Sequence, residues 1–151
     1  MIENALRLLL IRTDAVHEVI GDRAYFVGTR PQNERRASIV LTRIATTHGR
    51  TFGAGITHTT GRVQLDCLAG SYQQARELAT LARQTIDGYT TDLDAMDPRY
   101  FPTLEIRQTV PIQVHYVEVE DERDIETTPL EGKAEPLFGV SVDATFLYES
   151  N

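Results

Sequence analysis

Cys67 is the only cysteine among the 151 residues, and a thiol is the most reactive group this chain can offer. With His48 or His58 as general base it would supply the nucleophile that a cysteine hydrolase needs. The spacing around it argues otherwise. Val63, Leu65 and Cys67 alternate with Gln64 and Asp66, the period of a strand with one dry face. A cysteine on that face acts as a small apolar side chain, and the spacing brings no cation beside it to stabilise a thiolate.

Other candidate chemistries fail on spacing. His48 and His58 lie ten residues apart across a Gly-rich stretch and, with Asp66, match no recognised metal-ligand pattern. Gly49, Gly53 and Gly55 suggest a phosphate cradle, but Gly53-Ala54-Gly55 runs into Ile56-Thr57-His58 and a strand. A phosphate loop opens a helix instead. Asp92, Asp94 and Asp97 have the look of a calcium loop, yet Met96 fills a ligand position, the sixth position lacks glycine, and Thr103 replaces the closing glutamate. We therefore predict no catalytic, cofactor-binding or metal-binding residues, and no enzyme activity.

What remains is chemistry of contact. Glu118, Glu120 and Asp121 open an acidic run suited to a basic neighbour or to repelling DNA. Tyr100 and Phe101, beside Pro102, are candidate interface anchors. Arg50 and Phe52 fall in the Gly- and Thr-rich stretch of residues 47–60, which reads as the tip of a long projecting hairpin.

The elements that hold these residues can be read in order. Ile2, Ala5, Leu6, Leu9 and Leu10 have helical spacing, and Thr13 or Asp14 can cap a second short helix that ends at Gly21-Asp22. Residues 23–27 read as a short strand, 28–36 as a loop with Pro31, 38–46 as a central strand, and 62–68 as the return strand of the hairpin. Ser71 and Gln74 form a capping box, so a helix begins at Tyr72 with the inward stripe Ala75, Leu78, Ala79, Ala82 and Ile86. Gly88 is placed to end it.

Residues 104–107 read as a further short strand. Beyond them Val114 and Tyr116 alternate, then Val117 and Val119 shift the parity by one, which predicts a bulge or a strand end. Residues 118–136 read as an acidic arm, and the chain finishes on its best alternation, Phe138, Val140, Val142, Ala144, Phe146 and Tyr148. The expected fold is α+β: a mainly antiparallel sheet of about four strands, helices on one face, and a long hairpin.

Size and charge bound the function. A chain of 151 residues with 41% hydrophobic residues supports one domain spanning residues 1–151. The formal charge is −7. Residues 1–109 carry thirteen arginines against twelve acids, and residues 110–151 carry two basic residues against ten acids. A net-negative surface disfavours binding that depends on neutralising phosphates. A single cysteine makes no internal disulfide. The first twelve residues lack a basic leader and a cleavage site, and no span reaches the ~20 apolar residues that cross a bilayer. No membrane contact is expected. Arginine supplies fourteen of the fifteen basic residues, which suits planar ion pairs between subunits and equally suits a GC-rich genome.

The segment Gly61-Arg62-Val63-Gln64-Leu65-Asp66-Cys67-Leu68-Ala69-Gly70-Ser71-Tyr72-Gln73-Gln74-Ala75, with Leu78-Ala79 following, resembles the core signature of the tail completion, or tail terminator, proteins of long-tailed bacteriophages. The N-terminal helix, the Gly21-Asp22-Arg23 lead into a strand, the Pro31 loop and a closing strand ending near Tyr148 fit the same family. Residues 89–109 look like an insertion, and the acidic arm is longer than the family pattern. The resemblance implies a structural virion protein, a homo-hexameric ring at the head–tail junction. Such a ring would stop the tail tube, bind the tube protein and a head–tail connector or stopper, and let double-stranded DNA pass without specific binding. It would assemble in the host cytoplasm. A neck or adaptor protein at another level of the stack, and a small cysteine-dependent hydrolase, are the alternative readings.

Overall fold

The computed structural model describes residues 2–31, 33–51, 55–87, 92–93, 112–126 and 137–150. Helix α1 (Ile2–Arg12) is followed by α2 (Asp14–Ile20), strands β1 (Ala24–Phe26), β2 (Ser38–Thr51) and β3 (Gly55–Ala69), helix α3 (Tyr72–Ile86), and strands β4 (Asp92–Leu93), β5 (Ile112–Glu126) and β6 (Phe138–Ser150). The sheet order is β1-β2-β3-β6-β5-β4. The four long strands are mutually antiparallel, and only the three-residue β1 pairs in parallel, with β2. The expected α+β fold with four principal strands is therefore observed, widened by a very short strand at each edge.

The helices form where the sequence placed them. Ser71 takes an extended conformation and its hydroxyl accepts from the backbone N–H of Gln74 at 3.2 Å, so α3 starts at Tyr72. This satisfies one of the donors a helix start leaves free. The buried stripe of α3 is Ala75, Leu78, Ala79, Ala82 and Ile86, as the spacing predicts. Gly88 lies outside the described residues, and Asp87 caps the helix with its N–H on the Arg83 carbonyl. Thr13 precedes α2 without a side-chain cap; its hydroxyl instead donates to the Leu9 carbonyl of α1 at 2.9 Å. Gly21 ends α2 at φ 56, a left-handed value that glycine adopts without steric cost.

Alternation along the strands sorts the sheet into two faces. Ile39, Leu41, Val63, Leu65, Cys67, Val140, Val142, Ala144 and Phe146 join the buried stripes of all three helices in one apolar core. The opposite face carries Thr42, Gln64 and Asp143 in one cross-strand row, Asp66 and Ser141 in the next, and Arg62 with Thr145 on the other side.

Two boundaries need correction. The hairpin expected to project from residues 47–60 is ladder almost to its end: β2 runs to Thr51 and β3 resumes at Gly55, with Thr47 opposite Thr60 and Gly49 opposite His58. Threonines favour a pleated strand, and the missing side chain of Gly49 leaves room for the His58 ring across the ladder. The acidic arm expected over residues 118–136 is strand β5 as far as Glu126, paired with β6 except at the Glu120 bulge; residues 127–136 lie outside the described residues. Its carboxylates fit a strand because alternate ones reach solvent or find partners across the sheet. The segment 89–109 lies largely outside the described residues, as does the short strand expected over 104–107; Asp92 and Leu93 pair with Gln113 and Ile112.

Candidate functional site

Cys67 is fully buried, and burial pushes its thiol well above the usual range, with the nearby Asp66 and Glu122 charges adding to the effect. Asp66 itself points to the other face, where it accepts from the Gln64 side chain at 2.8 Å. A protonated thiol inside an apolar core has neither the ionisation nor the access of a nucleophile. His48 shares a hydrogen bond with Thr59 at 3.1 Å in the outer ladder, remote in register from Cys67, which pairs with Ile39. Among the described residues no cluster of His, Cys, Asp and Glu could hold a metal ion. No described helix is long and apolar enough to cross a membrane.

Polar chemistry concentrates on the face away from the helices. Asp143 on β6 is 4% exposed. Its Oδ2 accepts from Arg123 Nη1 of β5 at 2.9 Å and from Arg62 Nη2 of β3 at 3.3 Å. Arg123 also donates to Asp121 at 3.0 Å and to the Gln64 side chain at 3.2 Å. Arg62 lies 3.8 Å from Glu120, which accepts from the Thr145 hydroxyl at 2.7 Å. Bonds from Asp143 first, and Asp121 second, raise the Arg123 pKa further. Two guanidiniums here meet three carboxylates, Glu120, Asp121 and Asp143, and Asp66 and Glu118 stand on the same face without an arginine, so the arginines are occupied from within and the surface stays acidic.

The helix-side carboxylates of β5 are held by α3. Asp124 accepts from the Tyr72 hydroxyl at 2.7 Å, and Glu122 lies 3.8 Å from Arg83. A second polar feature sits at the outer half of β2, a cleft of about 520 Å³ lined by Ile2, Glu3, Arg43, Thr46, His48 and Tyr148 among others. Glu3 is 6% exposed, and one of its oxygens lies 3.5 Å from Arg43.

Of the residues singled out in the sequence, Glu118, Glu120 and Asp121 come together on β5, with Glu118 exposed and unpaired among the described residues. Arg50 stands near the end of β2, opposite Ile56. Phe52, Tyr100 and Phe101 lie outside the described residues. Sequence reasoning missed Arg62, Arg123 and Asp143. Asp143 sits at an outward position of the closing strand's alternation, but which arginines reach it depends on cross-strand register that a single sequence does not display.

No curated protein matches the sequence. Among solved structures, the chain is similar to one titled "Virion of native gene transfer agent (GTA) particle", at 11% identity and a TM-score of 0.58, with 97% of this chain and 94% of that chain covered. At that identity the likeness concerns the fold. The family of tail completion protein gp17 matches residues 4–122, most of the chain, from within α1 to Glu122 of β5. The chain belongs to the tail completion protein gp17 family.

Proposed function

We propose that this protein forms a ring, with six copies as the family resemblance implies, that closes the end of a phage tail tube and joins it to the head connector while DNA passes through the lumen. Its partners are then further copies of itself, the tube protein below and a connector or stopper above, at the head–tail junction of a virion. The family match over residues 4–122 carries this reading. The acidic helix-free face supports it, because carboxylates that outnumber and occupy the neighbouring arginines give a surface that DNA slides past. In this reading Arg50, Phe52, Tyr100, Phe101, Glu118, Glu120 and Asp121 contact neighbouring subunits or the tube, and double-stranded DNA is not bound specifically.

The test is purified protein imaged alone and mixed with tail tubes. Rings with a central hole, seated on tube ends and blocking further growth, are the expected result. A protein that stays monomeric and never binds tubes would overturn the reading, and binding only to connector assemblies would move it to the neck.

A further inference from the structure

The two outer edges of the sheet carry opposite charge, and this polarity names the contact that a ring would use. On one side, β1 pairs only with Ile39, Val40 and Leu41 of β2, which leaves residues 42–51 as an edge with no strand beside it among the described residues. On the other, β4 pairs only with Ile112 and Gln113 of β5, which leaves residues 114–126 likewise open. Exposed edges are templates for another strand.

The charges divide cleanly between them. Residues 35–65, which include all of β2, hold five arginines and two histidines and no Asp or Glu. Strand β5 holds six acids and a single arginine, Arg123, which is itself spent on Asp143 and Asp121. Arg43 is partly offset by Glu3 of α1, and Glu122 and Asp124 are engaged by α3. Glu118 is left to set the sign of the acidic border, while β2 brings Arg50 and no carboxylate of its own to the other.

Direction and height also agree. Four antiparallel strands make β2 and β5 run oppositely, so a neighbour set alongside in the same orientation continues an antiparallel ladder across the boundary. The register carries Thr42 through Gln64 and Asp143 to Asp121, and His48 through Thr59 and Tyr148 to Val114, so residues 42–48 of one edge and 114–121 of the other lie at the same height. Both edges are bulged near those heights, at Ile44 on β2 and at His115 and Glu120 on β5. Bulges bend and twist a strand, and paired bulges bend the two borders together.

We infer that the basic β2 edge of one copy docks against the acidic β5 edge of the next, a head-to-tail contact between two different surfaces, which is the kind that closes rings. This rests on the ring reading above and specifies its subunit interface.

The test reverses one edge at a time. His48→Glu with Arg50→Glu makes both borders acidic, and Glu118→Lys with Asp121→Lys makes both basic. Each variant, checked for a native circular dichroism spectrum, is expected to lose at least tenfold in self-association by sedimentation velocity, with and without tail tubes. Mixing the two restores opposite charges at every junction, and association is expected to return. Glu118→Lys alone serves as the mild partner should the double variant fold poorly. Folded variants that associate like the wild type, or a mixture that stays as weak as its components, would overturn the edge assignment while leaving tube capping by the wild type intact. Wild type and mixture that self-associate but never engage tubes would uphold the edges and remove the tail-terminating role.

Discussion

The two faces of the β2-β3-β6-β5 sheet use alternate residues of the same strands, and different forces hold them. Val142 and Ala144 face the helices in a dry core, while Ser141 and Asp143, one residue away along the chain, face an ion-pair network. The dry face is fixed by shape and volume, non-directional forces that scale with buried area. The polar face is fixed by directed bonds, in which Asp143 stays stable because two guanidiniums cover it. Stability is therefore concentrated on one side, and the other is free to specify what the protein touches.

The largest test of that contrast is Phe146→Ala, which empties a fully buried position of the dry face; a loss of about 3–5 kcal/mol in urea denaturation is expected. A loss under about 1 kcal/mol would break the comparison. On the polar face, Arg62→Met with Arg123→Met strips Asp143 of both cations. About 2 kcal/mol is expected, less than for a fully buried pair because the two arginine side chains are 45% and 43% exposed. Adding Asp143→Leu to that variant should recover most of the loss, which would show that the network serves the surface more than the fold.

Cys67→Ser sharpens the boundary between the faces, since it sets a hydroxyl in the dry layer; about 1–2 kcal/mol is expected. Thiol reagents should label the wild type only after unfolding. The smallest effect lies off both faces. The Glu34 carboxyl is held at about 2, against an ordinary 4.5, first by the Arg36 side chain and then by the Arg36 backbone N–H. A depressed carboxylate contributes its stability in full above pH 4.5 and loses it as pH falls towards about 2. Glu34→Gln should lower Tm at pH 7 and leave it unchanged near pH 2.

Short-range patterns carried much of the fold in the sequence. The Ser71 cap and the α3 stripe were legible because they need only neighbours three or four residues apart. The parity shift after Tyr116 likewise announced the bulge at His115, which turns Tyr116 to the outer face with 50% exposure. The second bulge, at Glu120, was not legible, because charged residues on both sides conceal the change of phase. Strand ends were misread at residues 47–51, 55–60 and 118–126, where threonine, glycine and carboxylates resemble loop composition but are held by ladder bonds to partners distant in the chain. The Arg62–Asp143 bond, 81 residues apart, was out of reach for the same reason.

The central position of β6 also orders events during synthesis. It lies between β3 and β5 yet leaves the ribosome after both. A nascent chain stalled before residue 138 holds β2, β3 and α3 but leaves the inner border of β3 bare and gives β5 no strand to join. Such a chain is exposed to adventitious strand pairing, and its acidic border is not yet in place. Insertion of β6 completes the core and presents both borders together, so only chains translated through this strand are equipped to enter an assembly.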